Sequence, residues 1–121
     1  MRGWRRPRRR WGSRPHDVYV KRAMEYTIEL SIAAERHLDQ LSAHDRRIVL
    51  AAVFDQLTHQ PLIRTRNRKE LRPNPLANWE LRVGKYRVLY NVVKEESVVA
   101  INAVAVKDGN KLVIEGEVHE L

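Results

Sequence analysis

The chain has 121 residues, enough for one domain with a modest hydrophobic core, and carries a formal net charge of +8. It contains no cysteine, which excludes disulfide bonds and cysteine-based metal or nucleophile sites and predicts a reducing, cytoplasmic setting. No apolar run approaches the roughly 20 residues that a transmembrane helix needs, so we expect no membrane partner.

The positive charge is concentrated in two segments. Residues 1–22 hold nine of the 23 basic residues and one acid, so residues 23–121 are neutral overall. Within that neutral part, the stretch from Arg64 to Arg87 holds eight basic residues and two acids. A neutral domain with one concentrated basic stretch indicates a surface for nucleic acid or phosphate.

Residues 1–22 are predicted to form a disordered basic extension, because arginine, tryptophan, glycine and proline alternate there without an apolar period. One interpretation is an arm that binds nucleic acid non-specifically. The other is that the segment is not native protein, since Met24 stands directly before the first regular element. We assign the extension no function and place one domain at residues 23–121.

The domain is predicted to begin with a strand and a short helix. Apolar and polar residues alternate over residues 26–32, which is typical of a half-buried strand. Residues 33–41 then read as a short helix. The apolar side of the strand consists of Ile28, Leu30 and Ile32.

A second helix is predicted from residue 43 to about residue 59. Ser42, three residues before Asp45, resembles a capping box, and Pro61 ends the helix. So short a link between the two helices predicts an antiparallel αα-hairpin. The apolar stripe of the second helix consists of Val49, Leu50, Val53, Phe54 and Leu57.

A long basic loop is predicted at residues 61–78, where three prolines oppose regular structure, and a β-hairpin follows it. Alternation on both sides of Gly84-Lys85 predicts the hairpin's two-residue turn. This register sets Arg82 opposite Arg87 on one sheet face, and opposed like charges are unfavourable. Either Glu80 on the same face neutralises them, or an anion such as a phosphate binds there.

The last part of the chain predicts further strands. Residues 98–106 are almost wholly apolar or small, as expected of a central strand. Residues 108–110 are typical of a turn. Residues 111–118 are the candidate for an additional last strand, which would make the sheet five-stranded. The predicted fold is therefore α+β, in the order β-α-α-β-β-β, with an antiparallel sheet of four or five strands and the αα-hairpin packed on one face.

The alternation also assigns the two faces of the hairpin. One face is expected to lie under the helices, and Arg82 and Arg87 are expected to point from the open face beside the basic loop. The covered face consists of Trp79, Leu81, Tyr86, Val88 and Tyr90.

The motifs leave two kinds of function, metal-free chemistry on a phosphodiester or simple binding. No zinc, P-loop or nucleophile-elbow pattern occurs, and the five histidines are scattered, so no metal or cofactor is predicted. Arginine pairs can hold a phosphate, and RNA supplies its own nucleophile, the 2′-hydroxyl. Glu80 or Lys107 is the candidate general base, and Tyr90 or His119 the candidate general acid.

The run L-R-P-N-P-L-A-N-W-E-L-R-V-G-K-Y-R-V-L-Y at residues 71–90 resembles the RelE/ParE superfamily of toxins from bacterial toxin–antitoxin pairs. The likeness covers roughly residues 26–107 and implies a partner antitoxin. It also implies one of two activities. RelE-like members cleave mRNA in the ribosomal A site without metal, which is the interpretation that we prefer here. The alternatives are a ParE-like inhibitor of DNA gyrase and a catalytically degraded nucleic-acid-binding relative.

The resemblance also implies roles for individual residues. Arg87 matches the arginine that RelE-like toxins place at the scissile phosphate, Arg82 matches a basic position in the neighbouring strand, and Lys107 stands near another arginine. Asn78 and Glu80 replace the strand lysines of the best-known members, and their C-terminal tyrosine has no clear match. The remaining basic residues are expected to bind the RNA backbone electrostatically: Arg64, Arg66, Arg68, Lys69, Arg72 and Lys85.

Overall fold

Two helices cover one face of an open sheet in the computed structural model, which describes residues 25–120. The predicted α+β class is confirmed. The predicted extension at residues 1–22 lies outside the described residues. In chain order the elements are β1 (Thr27–Leu30), α1 (Ile32–Asp39), α2 (Ala43–Leu57), β2 (Arg68–Glu70), β3 (Trp79–Val83), β4 (Tyr86–Val93), a 3₁₀ turn (Lys94–Glu96), β5 (Val98–Asp108), β6 (Lys111–Ile114) and β7 (Glu117–His119).

Within residues 25–120 the sheet has seven strands, more than the four or five predicted. The strands β2-β3-β4-β5-β6-β7 follow one another in antiparallel order, and β1 pairs in parallel with β5. The prediction of a wholly antiparallel sheet was therefore wrong for β1. The long strand β5 explains the arrangement, because β6 pairs with its end at 106–108 and β1 pairs with its beginning at 98–101. Strands β2 and β7 have three residues each, too few to show an alternation.

Serine caps set the starts of both helices. The Oγ of Ser31 accepts a hydrogen bond from the amide of Ala34, so α1 begins at Ile32, which is 80% exposed. The prediction of Ile32 in the strand was wrong for this reason. The Oγ of Ser42 accepts from the amide of Asp45 at 3.0 Å, which confirms the predicted cap of α2.

The main core lies between the helices and the sheet. Its α2 side chains are Val49, Val53 and Leu57, with Leu50 packed against them. Phe54 is 55% exposed, so its predicted place in the stripe was wrong. The predicted hairpin face is confirmed as the sheet's contribution: Trp79, Leu81, Tyr86, Val88 and Tyr90.

The opposite face of the sheet is partly covered by the chain between β2 and β3. Leu71, Leu76 and Ala77 pack there on a second apolar cluster that includes Leu89 and Leu112. This cover lies over the middle of the face, and Arg82, nearer the β3–β4 turn, stays exposed. The folding of the loop therefore decides which part of the sheet can meet a ligand.

The hairpin that joins β3 and β4 has the predicted register. Arg82 lies opposite Arg87, and Val83 lies opposite Tyr86. Gly84 has φ +58°, and a Cβ added there would meet nothing within 4 Å. Glycine is therefore favoured at this turn by its backbone conformation and not by space. Within residues 25–120, no helix is long and apolar enough to cross a bilayer.

Candidate nucleic-acid interface

A cleft of about 140 Å³ opens on the exposed part of the sheet. We call it the basic cleft, because five of the side chains that line it are cationic and one is acidic. Its lining consists of Arg66, Asn67, Lys69, Glu80, Arg82, Arg87 and Lys107. The excess of positive charge favours an anion in this cleft.

Four neighbouring strands, β2 to β5, and the loop residues directly before β2 build the cleft. Lys69 of β2 lies opposite Glu80 of β3, and Arg82 of β3 lies opposite Arg87 of β4. The amide of Arg82 donates to the carbonyl of Asn67 at 2.7 Å, which fixes the loop end against β3. Lys107 borders the cleft from β5.

Arg87 forms the floor of the cleft. It is 8% exposed, and its Nη1 donates to the carbonyls of Gly84 at 2.7 Å and Tyr86 at 2.8 Å. Burial lowers the pKa of Arg87, and the nearby charge of Arg82 lowers it further, while Glu80 acts in the opposite direction. The guanidinium is thus a fixed, buried cation, and a second negative charge nearby would stabilise its charged form.

Glu80 offsets part of the repulsion between the two opposed arginines. Its Oε2 lies 3.8 Å from Nε of Arg87, longer than a hydrogen bond. One carboxylate at this distance neutralises part of the pair, and Arg82 remains exposed. Glu80 therefore relieves part of the repulsion, and the positive charge that remains is compatible with an anion at this place.

The structure brings together five of the nine predicted site residues. Arg66, Lys69, Arg82, Arg87 and Lys107 all line the basic cleft. Two others, Arg64 and Arg72, line a larger cleft described below. Lys85 lies in the hairpin turn with its Nζ 5.4 Å from the centre of the Tyr86 ring and lines neither cleft.

Arg68 is a correction to the prediction. Its side chain is 6% exposed and points to the helix side of the sheet, where it donates to the carbonyls of Ile63 and Gln56. The physical reason is the alternation of β2, which sends Arg68 and Lys69 to opposite faces. Arg68 anchors the basic loop and cannot reach a ligand in the basic cleft.

The candidate general acids do not reach the cleft either. The Tyr90 hydroxyl is buried on the helix side and donates to the carbonyl of Pro61 at 2.7 Å, and burial raises its pKa. His119 on β7 lies three strands from Arg87 on β4, which is about 14 Å at ordinary strand spacing. Glu80 and Lys107 are the candidate proton-transfer groups that line the cleft.

Asn67 is the one lining residue that the sequence did not suggest. No sequence pattern identifies it, because the pairing of β2 with β3 in the structure is what brings residue 67 beside residue 82. In the described part of the chain, histidine and acidic side chains form no group of three that could hold a metal ion.

A larger cleft of about 540 Å³ lies beside the edge strand β2. We call it the second cleft. Its rim carries two exposed arginines and the exposed residues Glu70 and Asn78, and the buried indole of Trp79 contributes an apolar wall. Its full lining consists of Arg64, Glu70, Leu71, Arg72, Pro73, Asn78 and Trp79.

The sequence and structure comparisons with known proteins agree with one another. The sequence profile described as "ParE toxin of type II toxin-antitoxin system, parDE" matches residues 20–108. The toxin–antitoxin complex RelBE2 from Mycobacterium tuberculosis is similar with a TM-score of 0.61 and 30% identity, over 69% of this chain and 93% of that chain. No curated protein sequence gives a significant match.

Two further solved structures share the fold. The archaeal RelE–RelB complex from Pyrococcus horikoshii OT3 has a TM-score of 0.58 and 23% identity, over 71% of this chain and 99% of that chain. A mutant of E. coli toxin RelE in the free state has a TM-score of 0.52 and 27% identity, over 69% of this chain and 84% of that chain.

Proposed function

The chain belongs to the ParE toxin family of type II toxin–antitoxin systems, in the RelE/ParE superfamily, and on that premise we propose that it is a metal-independent endoribonuclease that cuts mRNA on the ribosome. The observation that supports the proposal is the basic cleft. It sets two opposed arginines, Arg82 and Arg87, between one carboxylate and one lysine on a surface that is otherwise cationic.

The two arginines hold the scissile phosphate. Arg87 is fixed by two backbone carbonyls and needs no reorganisation when a phosphate arrives. Arg82 is exposed and closes on the phosphate from above. Arg66 and Lys69 attract the neighbouring phosphates of the strand, which makes binding weaken as salt rises.

Glu80 and Lys107 stand on the strands that flank Arg87, so a phosphate above Arg87 lies between them. The 2′-oxygen attacks the adjacent phosphorus while the Glu80 carboxylate accepts the hydroxyl proton. The bond from phosphorus to the 5′-oxygen breaks, and that oxygen takes a proton from the Lys107 ammonium. The products are a 2′,3′-cyclic phosphate and a 5′-hydroxyl.

Purified toxin, ribosomes programmed with a defined mRNA and mapping of the cut ends test this proposal. We expect a cut in the A-site codon, and a loss of roughly 100-fold or more in rate for Arg82→Gln, because one group that stabilises the transition state is gone. Lys94→Ala is the matched control, since Lys94 is an exposed cation in the 3₁₀ turn. Intact mRNA after prolonged incubation would refute the proposal.

Two observations favour a second candidate, inhibition of DNA gyrase. The cleft holds an acid, Glu80, where the resemblance leads us to expect a lysine, and its candidate tyrosine acid, Tyr90, is buried on the other face. In this case the same fold would block gyrase and cut nothing. A supercoiling assay separates the candidates: inhibited supercoiling with intact mRNA supports gyrase, and growth without arrest after expression indicates a degraded relative.

A further inference from the structure

The second cleft combines an apolar wall with polar groups at its rim. The Trp79 ring stacks on Tyr90 at 6.2 Å between centroids and is 8% exposed, so it is held rigidly and meets the cleft with one part of its surface. Leu71 and Pro73 extend the apolar lining. Arg64, Glu70, Arg72 and Asn78 supply both hydrogen-bond donors and acceptors around it.

Asn78 is fixed through its backbone while its side chain stays available. Its amide donates to Oδ1 of Asn91 at 2.6 Å, and its carbonyl accepts from the amide of Leu71 at 2.8 Å. Asn78 is exposed, and no residue in the range 25–120 bonds to its side-chain amide. A side chain held in this way can present a donor and an acceptor to a flat polar ligand.

The two clefts lie along one strand. Asn78 directly precedes β3, and Glu80 and Arg82 lie within it at intervals of two residues. Alternation along an extended chain therefore places the three side chains on the same side of the sheet. Four residues of extended chain separate Asn78 from Arg82, which is about 14 Å. A single-stranded nucleic acid that crosses the basic cleft can therefore place a neighbouring base beside Asn78.

We propose that the second cleft binds a purine base of single-stranded RNA next to the phosphate held in the basic cleft, an inference that rests on the proposed function. Asparagine and arginine both match the paired acceptors and donors of purine edges. An arginine plane can also stack on a base, as proteins that bind unpaired RNA commonly do. Glu70 adds an acceptor for an exocyclic amino group.

The first test measures binding without cleavage. The chain contains three tryptophans, Trp4, Trp11 and Trp79, so the full-length double variant Trp4→Phe/Trp11→Phe reports on Trp79 alone. We expect AMP and GMP to change its fluorescence saturably, and CMP and UMP to bind more weakly. Asn78→Ala and Arg72→Ala should each weaken purine binding roughly tenfold, while Lys94→Ala leaves it unchanged.

The second test maps cuts on mRNAs with varied codons. We expect a purine preference at one position beside the cut, which Asn78→Ala removes while total cleavage changes by a few-fold at most. Purine binding by a protein that cuts nothing would support this inference and refute the proposed function. Cleavage whose base preference is insensitive to Asn78→Ala, with no purine effect on Trp79, would overturn this inference and leave the function standing.

Discussion

Neighbouring cations of the basic loop have different physical roles. Arg66 is exposed and lines the basic cleft, while Arg68 is buried and donates to two backbone carbonyls. We predict that Arg68→Met lowers the free energy of unfolding by about 2–3 kcal/mol, because it leaves those carbonyls without their donor. Arg66→Met should stay within about 0.5 kcal/mol of the wild type. Urea denaturation measures both, and equal effects would contradict the assignment.

Glu115 joins the turn after β6 to helix α1. Arg36 donates to both its carboxylate oxygens at 2.8 Å, and Nε2 of His37 lies 2.9 Å from Oε1. The amide of Val104 donates to Nδ1 of His37 at 3.1 Å, which assigns the proton of the neutral ring to Nε2. The hydrogen bonds from Arg36 and then from His37 lower the pKa of Glu115 to about 2.

This pKa predicts how stability depends on pH. The carboxyl titrates near 4.5 in the unfolded chain and at about 2 in the folded one. Its contribution is therefore present above pH 4.5 and is lost as the pH falls from there through 2. We expect Glu115→Gln to lower the Tm at pH 6, with the gap to the wild type closing between pH 4.5 and 2. Glu96→Gln, at an exposed turn, is the control; a gap that persists at pH 2 would contradict the prediction.

At the scale of elements, one hydrogen bond connects helix α2 to the β3–β4 hairpin that carries Arg82 and Arg87. The Tyr86 hydroxyl donates to Oδ2 of Asp45 at 2.5 Å, and that bond is the main cause that raises the pKa of Tyr86 to about 12. Tyr86 directly precedes Arg87, and Asp45 lies in the first turn of α2. The contact therefore couples the position of the cleft floor to the helix layer.

A double-mutant cycle measures this coupling. We predict that Tyr86→Phe and Asp45→Asn each lower the free energy of unfolding by about 1.5–3 kcal/mol, because the bond involves a charged acceptor. The double variant should lose about 1.5–3 kcal/mol less than the sum, since both changes remove the same interaction. Tyr26→Phe, in a partly buried tyrosine that packs against the core, serves as the control. Additive effects would show that the two side chains do not interact.

Local patterns predicted the elements that depend on local causes. The cap at Ser42, the alternation on both sides of Gly84 and the apolar run of β5 each act within a few residues, and each was confirmed. Strand β2 escaped prediction because its pairing with β3, and not its own sequence, makes it a strand. Ile32 is exposed because the cap at Ser31 starts helix α1 there, which ends the alternation of β1.

At the scale of the whole molecule, the distribution of charge along the sequence identified the region of the candidate site but not which residues line it. The basic stretch and the hairpin register pointed to Arg82 and Arg87, and the structure places both in the basic cleft. The burial of Arg68 could not be predicted, because it depends on carbonyls that the end of α2 and the following loop present. The division of the cations between two clefts depends on how residues 71–77 fold over the sheet.

The same charge distribution predicts how the cognate antitoxin binds. The basic cleft is a concentrated positive surface on a domain that is otherwise neutral to acidic, so we expect an acidic or amphipathic segment of the antitoxin to cover Arg82 and Arg87. Binding should weaken as salt rises, since exposed charges are screened.

Co-expression with the cognate antitoxin tests this surface. We expect phenylglyoxal to modify Arg82 in the free toxin and not in the complex. Arg82→Glu should weaken the complex at least tenfold, because it places a negative charge against an acidic segment. It also replaces the like-charge pair with Arg87 by an opposite-charge pair; thermal unfolding checks that the variant is folded, and Lys94→Glu is the matched control. A complex in which Arg82 stays reactive would place the antitoxin on another face.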